Sequence, residues 1–448
     1  MRIRSLKTPT ACRISCLVVA LGQLVAMPVR AQAPWTDELV AAQARESAPV
    51  TVAAQGTARR ARARVEGVGL HPNPFLDWER QETLSPNAQS QDVVRAHIPF
   101  DLSGRRDAAR LLAELDAEDS GAGASNLGRE LAARALGLFY AALALERRID
   151  LLREAQGVLD EVSRVLSSRQ AAGEASGYER ARLALEAELG RSRLERASAE
   201  REVTIHELAA LLGAAEARPT VRGDFDVADP PPLDELMARA GETHPLLRSL
   251  EVQLDLARRA RSAADTAWIP RFEIFGGYNV QIGPQVGHGY AVGVVLDVPV
   301  FDHGQGERAE ANAALSSLGD YEGALRAAVR AAITAARARL EAALNERRRF
   351  AAATGGDTEL LLRAASTGYR GGERSLVELL DARRAVLEVA ERELSLDLAA
   401  RLADVELRRT TRAARRGRTT RSSWSARARS RSAARRASAR TRRGRCPG

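Results

Sequence analysis

The sequence predicts a mainly α protein with a smaller β portion, built from a duplicated strand-strand-long-helical-hairpin unit. Three observations predict it. Ala, Leu, Arg and Glu dominate the 448 residues while aromatics make up 4%, a composition of long helices rather than of one large compact core. Segments about 200 residues apart repeat in the same order. Each repeat passes from alternating apolar and polar residues to heptad periodicity.

The first residues carry Arg2, Arg4 and Lys7 ahead of an apolar run and end in Ala31-Gln32-Ala33, the order of a secretory signal peptide. Residues 1–33 are expected to be removed and the protein exported. Cys12 and Cys16 leave with that segment and only Cys446 remains, so neither a disulfide scaffold nor a thiolate metal site is expected. No later stretch reaches the roughly 18–20 apolar residues of a membrane helix. If the mature chain spans a membrane, it must do so as a β-barrel.

The net charge of +9 hides an uneven distribution. Residues 1–33 carry five basic and no acidic side chains, and residues 408–448 carry sixteen Arg and no acid, leaving residues 34–407 at −12. The Arg/Ala/Ser/Thr tail over 412–448 has no apolar periodicity and reads as disordered. Its chemistry suits polyanions such as nucleic acid or lipid headgroups, but a nonselected extension is the favoured reading, a shifted reading frame being one origin for it, and no nucleic-acid partner is expected.

The repeat units align along the chain. Asp37-Glu38-Leu39 leads to Pro49 as Asp234-Glu235-Leu236 leads to Pro245; Pro74 matches Pro270; and His97-Ile98-Pro99-Phe100 matches Asp297-Val298-Pro299-Val300. Both halves read as a short helix, a proline, a second helix, two strands and a very long helical hairpin. The first occupies 34–216 (strands about 72–84 and 91–102, hairpin about 104–213). A Pro/Asp-rich linker at 217–232 precedes the second at 233–411 (strands about 270–282 and 289–301, hairpin about 305–407).

The second pair of strands is the clearer. Phe272, Ile274, Gly276, Tyr278, Val280 and Ile282 alternate with Glu273, Phe275, Gly277, Asn279 and Gln281, and Tyr290, Val292, Val294, Leu296, Val298 and Val300 share one face, a pattern that fits a barrel wall or a soluble sheet equally. FLDWERQETL and QDVVRAHIPFDL are more polar and do not by themselves establish a barrel strand.

Leu131, Leu138, Leu145, Leu152, Leu159 and Leu166 repeat every seven residues, a coiled-coil seam. Polar stretches at 120–126 (SGAGASN) and 354–357 (TGGD) predict loops or kinks. The chain reverses near Gly173 and again near Gly372, and there it spells G-E-x-S-x-x-E twice, as GEASGYE at 173–179 and GERSLVE at 372–378. Gly permits the reversal, Ser suits a helix N-cap, and Glu three residues later completes a capping box. Capping alone accounts for Ser176, Glu179, Ser375 and Glu378.

Together these features resemble the TolC family of outer membrane efflux proteins, over about residues 36–411. Y-R-G-G-E-R-S-L-V-E-L-L-D-A from Tyr369 to Ala382 is similar to the family's periplasmic entrance motif. VPVFDHGQGERAEA from Val298 to Ala311 is similar to its strand-to-helix junction. The PNP turn at 72–74 and the FDHGQG segment resemble the branch serving cation and related tripartite pumps.

The resemblance implies a homotrimer with a 12-stranded outer membrane β-barrel continued by a periplasmic α-helical barrel. Six hairpin tips would then surround the lower mouth. It implies that Tyr369 and Arg374 tie the entrance closed against an acidic residue of the first hairpin, here Glu179, and that Glu378 and Asp381 form acidic rings facing the pore. For Glu378 and Asp381 a solvated helix face is the plainer alternative. Gly173, Ser176, Gly372 and Ser375 would meet a periplasmic adaptor that links the channel to an inner membrane transporter.

The implied function is a passive conduit; a periplasmic coiled-coil adaptor or scaffold that forms no barrel is the alternative. His71, His97, His206, His244, His288 and His303 show no ligand spacing, and no catalytic triad or phosphate loop occurs. No enzyme activity, cofactor or metal is expected.

Overall fold

The computed structural model describes residues 34–83, 89–101, 103–171, 176–283, 285–355 and 357–411. The expected signal segment, Gly173 and the arginine-rich tail lie outside the described residues. Elements follow the order α1 (Asp37–Glu46), α2 (Pro49–Gly67), β1 (Phe75–Glu82), β2 (Ser90–Phe100), α3 (Arg105–Ala171), α4 (Gly177–Leu211), α5 (Leu233–Thr243), α6 (Pro245–Asp265), β3 (Arg271–Ile282), β4 (Gly287–Asp297), α7 (Gln305–Thr354), α8 (Asp357–Arg370) and α9 (Leu376–Thr411). The two halves therefore repeat the same sequence of elements, except that α7 and α8 stand where α3 is unbroken.

Pro49 and Pro245 each occupy a first helical turn, where a missing N–H costs nothing. The break between α7 and α8 falls at TGGD, as its glycines predict. SGAGASN does not break its helix: α3 runs unbroken through 105–171, about 100 Å at 1.5 Å per residue. Tertiary packing overrides the weak local propensity there. α2 lies along this part of α3, and Gly128 admits the Arg45 backbone, whose carbonyl is 3.0 Å from where a Cβ would stand.

The leucine heptad is the buried seam only toward the tip. Leu152, Leu159 and Leu166 are buried, whereas further up the helix Ala135, Phe139, Ala142 and Ile149 take over and Leu138 packs at the margin. An α-helix drifts about 20° per heptad, and α3 changes neighbours from α4 and α9 to α1, α2 and α6 along its length.

The strands form one antiparallel sheet in the order β1-β2-β3-β4, so the two halves meet at β2 and β3. Below it the helices share their cores. One cluster joins Val40, Phe139, Tyr140, Leu208, Val221 and Val405, and another joins Leu236, Leu250, Ile333, Leu340 and Leu407.

The Pro/Asp-rich segment is no free tether. Trp35 pairs with Val221 in a parallel bridge, and the Arg401 guanidinium donates to the Asp226 carbonyl at 3.0 Å. Buried Arg401 also lies 4.7 Å above the Tyr140 ring and bonds Asp404 and Asp37, while Tyr140 Oη donates to Asp37 at 2.9 Å. That cluster ties α1, α3, α9 and the connecting segment together.

Gly304 starts α7 with φ +83, and a Cβ there would stand 2.9 Å from the Ala264 carbonyl oxygen. Gly304→Ala should therefore lower the melting temperature by several degrees, the left-handed backbone alone costing about 1–2 kcal/mol. Gly306→Ala, where a Cβ would meet nothing, should leave melting by circular dichroism unchanged or slightly raised.

Candidate functional site

Two regions carry features beyond packing: the faces of the sheet and the hairpin tips. Cross-strand register places Phe272 opposite Phe100 and Leu296, Ile274 opposite Ile98 and Val294, Gly276 opposite Ala96 and Val292, and Tyr278 opposite Val94 and Tyr290. β1 adds Leu76 and Trp78 to the same face. The first hairpin is two-sided from Trp78 toward the helices, with Asp77, Glu79, Arg95 and His97 on the other face, whereas beyond Trp78 toward the turn Arg80 and Asp92 pair at 3.6 Å on the apolar side.

The apolar face has a vertical order. Trp78, Tyr278 and Tyr290 form an aromatic row near the β1–β2 turn, aliphatic residues follow, and Phe100 and Phe272 form a second row toward the helices, stacked at 5.5 Å. Trp268 and Phe301 lie just beyond the strand ends and are exposed. Aromatic rows bounding an aliphatic band are the layout of a wall that faces lipid. β2, β3 and β4 have 11, 12 and 11 residues, enough for a tilted strand to cross a bilayer.

The opposite face is polar and the more covered of the two along β2. Arg95 donates to Asp77 and Glu79, both at 2.9 Å. His97 bonds Asp77 at 3.2 Å and also Glu273, between the rings of Phe75 and Phe275. This network joins the two halves of the sheet and was missed from the sequence, because its members come from three strands. No group of three or more side chains suited to a metal occurs among the described residues.

At the second tip the chain reverses through Gly372, with φ +76, after Gly371 N–H bonds the Thr367 carbonyl. Ser375 Oγ then accepts from Glu378 N–H at 3.3 Å, and Glu378 accepts from Ser375 N–H at 2.8 Å. Ser176 and Glu179 make the same reciprocal box on α4. The Ser375 backbone bond holds the Glu378 carboxyl below its ordinary value. Both glutamates are thus turned toward their own helix ends, as capping predicts.

Tyr369 is buried among Leu159, Val162, Leu166 and Leu183 of the first hairpin and Leu376, Leu379 and Leu380 of the second. The Arg169 guanidinium lies 5.3 Å from its ring centroid. Burial pushes the phenol above its ordinary value, the Glu179 charge adds to this and the Arg169 charge opposes it. Its hydroxyl has no hydrogen-bond partner among the described residues.

Arg374 lies against Gly368 and reaches Glu378 at 3.8 Å, and Asp381 reaches Arg384 at 3.6 Å. Within the described chain Arg374, in the turn between α8 and α9, pairs with Glu378 of α9.

The ion pairs that do cross between hairpins were not anticipated. Arg370 meets Glu161 at 2.8 Å, Arg148 meets Glu391 at 2.7 Å, and Arg384 grips Glu186 through both nitrogens, Nε donating at 2.9 Å. Glu186 is 8% exposed. The available signal was its place in the inward series Leu183, Glu186, Gly190, Ala197, where a carboxylate demands a partner.

The Arg384 bond holds the Glu186 carboxyl below its ordinary 4.5. A lowered folded-state value stabilises at pH above 4.5 and is lost as pH falls through the lowered value. Arg384→Gln should loosen the hairpins by about 2 kcal/mol, since it strands a buried carboxylate, and Glu186→Gln should flatten the acid limb. Protease accessibility of the tips as a function of pH measures both.

The family model described as outer membrane efflux protein matches residues 236–411. A search of curated proteins finds no match. Among solved structures, a membrane protein from Pseudomonas aeruginosa is 20% identical with a TM-score of 0.67, covering 84% of this chain and 93% of that one. The CmeC outer membrane channel of Campylobacter jejuni is 15% identical with a TM-score of 0.67, covering 84% and 85%. The open state of the Neisseria gonorrhoeae MtrE outer membrane channel is 17% identical with a TM-score of 0.64, covering 84% and 88%.

Proposed function

We propose that this protein is a passive efflux channel of the outer membrane: residues 236–411 match the family model described as outer membrane efflux protein, and 84% of the chain shares the fold of outer membrane channels. The observation that carries the reading is the sheet, with one face banded for lipid, the other polar, and free edges at β1 and β4 among the described residues. Such a sheet can enter a bilayer only by closing against further copies. Three copies give twelve strands, the homotrimer implied by the family resemblance.

The helices would continue that barrel as a periplasmic duct, with the tips at Ser176, Gly372 and Ser375 meeting an adaptor fed by an inner membrane transporter; Gly173 is assigned with them from the sequence. No helix among the described residues is long and apolar enough to cross a membrane, so the barrel would be the membrane-spanning part. Selectivity for cargo would lie mainly in the transporter.

Tyr369, Arg374 and Glu179, with Glu378 and Asp381, form the proposed gate. Opening is a two-state rearrangement in which directional contacts at the tips break, and carboxylates around the mouth favour cations over anions. The buried Tyr369 hydroxyl, with the Arg169 guanidinium beside its ring and no well-aligned hydrogen-bond partner among the described residues, supports this, because a neighbouring copy can supply one.

Electron microscopy of the full chain extracted in detergent from the envelope should show a threefold tube with a short barrel at one end. A monomeric rod would overturn the channel reading in favour of a periplasmic scaffold. In planar bilayers, Arg374→Ala and Tyr369→Phe should each raise single-channel conductance, and an unchanged conductance would remove the gating role from those residues.

A further inference from the structure

α2 and α6 end in the same word. Residues 58–63 read ARRARA and residues 257–262 read ARRARS, so the duplication retains an arginine cluster as well as a fold. In both helices the alanine that opens the word, Ala58 or Ala257, is buried, while Arg59, Arg60, Arg62, Arg258, Arg259 and Arg261 are exposed. Arg64 extends the first cluster by one turn.

Many arginines of this acidic body find carboxylates. Arg258 does so with Asp255 at 3.4 Å, as does nearby Arg308 with Asp265 at 3.2 Å. Arg59, Arg60, Arg62, Arg64, Arg259 and Arg261 have no ion pair among the described residues; Arg60 bonds only the Thr57 hydroxyl, at 3.4 Å. Both halves thus present unneutralised guanidinium groups at corresponding places.

Those places adjoin the sheet. Beyond the end of α2, Gly69 lies against Arg106 and Arg110 in the first turns of α3, directly after β2. The end of α6 lies against Gly304, directly before α7 and after β4. The helical rise puts the clusters about 5–12 Å below the helix ends. Between α6 and β3 stands Trp268, 63% exposed, on a turn that Arg105 pins through the carbonyls of Ala267 and Ile269. Exposed tryptophan at the edge of an apolar band, with arginines beneath it, is the arrangement of a membrane-water boundary.

We propose that these two clusters form a basic collar that binds the phosphate groups of anionic phospholipids in the membrane leaflet nearest the helices. The proposal rests on the channel reading, which places the sheet in lipid. Guanidinium forks pair with phosphate oxygens bidentately, the exposed Trp268 ring sits at headgroup level, and repetition in both halves spreads the collar around the barrel. The same charges would hold the duct upright, since tilting lifts one side of the collar away from the headgroups.

The test is native mass spectrometry of the full chain in detergent, titrated with phosphatidylglycerol or phosphatidylcholine. Phosphatidylglycerol should bind about tenfold more tightly or better. Replacing Arg59, Arg60, Arg62, Arg64, Arg259 and Arg261 with Gln should abolish the preference, and replacing them with Lys should keep most of it. The pair Arg259→Gln and Arg261→Gln should reduce it even if the sixfold Gln variant does not fold.

Equal binding of the two lipids, or a preference that survives in a folded Gln variant, would overturn the collar. Displacement of the lipid by millimolar glycerol phosphate would also overturn it, by showing a general anion surface. Failure of the wild-type chain to insert and conduct in planar bilayers would instead sink the channel reading, so the two failures are separable.

Discussion

The free edges of the sheet impose the main constraint on this molecule. β1 and β4 present backbone N–H and C=O groups that no described strand pairs, beside a face carrying Leu76, Trp78, Tyr290, Val292 and Val294. In water that face and those edges invite aggregation, and in lipid each unpaired group costs several kcal/mol. The proposed closure against identical copies would resolve both problems at once. It would also give a reason why polar Asp77, Arg95, His97 and Glu273 bond one another on the other face, since they would line a wet interior.

Long helices have the complementary problem of no core to retreat into. α3 is 67 residues long, and it stays folded by changing partners along its length. The helical elements of the two halves meet around Arg401. Its guanidinium touches Tyr140 of α3, Asp37 of α1 and the Asp226 carbonyl. Removing one member of such a buried group costs about 3–5 kcal/mol, because the charge left behind has no water to return to. The short helices α1, α2, α5 and α6 thus act as splints at the level where the long helices lack other neighbours, and the duplication supplies them in matched pairs.

What could be read from the sequence follows the reach of each signal. Alternation in β3 and β4 is local and strong, so their faces were legible. The β1 and β2 pattern was hidden by Asp77, Glu79, Arg95 and His97, whose partners are known only once the strands are paired. Capping by Ser176 and Ser375 depends on three residues each and was read correctly. SGAGASN misled because glycine frequency reports local propensity, whereas α2 and α6 packed along α3 hold the helix there; of its glycines, Gly121 lies beside the Arg62 guanidinium and Gly123 meets nothing. Glu186 and Arg384 lie 198 residues apart, and nothing in a single chain's spelling links them.

The packing at the tips limits how the proposed gate can move. The pair Arg370–Glu161 is largely exposed, at 63% and 46% for the side chains, and pairs of that kind contribute about 0–1 kcal/mol. The apolar cluster beneath it is of another order: Leu159, Leu166, Leu183, Leu376, Leu379 and Leu380 are each at least 92% buried, and exposing one such side chain fully costs about 1.5–3 kcal/mol. Complete separation of the hairpins would forfeit several of these at once, more than a few broken ion pairs could explain. An opening movement must therefore slide or rotate one hairpin over the other, keeping leucine against leucine while the directional contacts of Arg384, Arg370 and Tyr369 are exchanged. Apolar contacts tolerate that motion because they lack direction; the bidentate Arg384–Glu186 pair does not, which makes it the interaction that fixes the register of the two hairpins at rest.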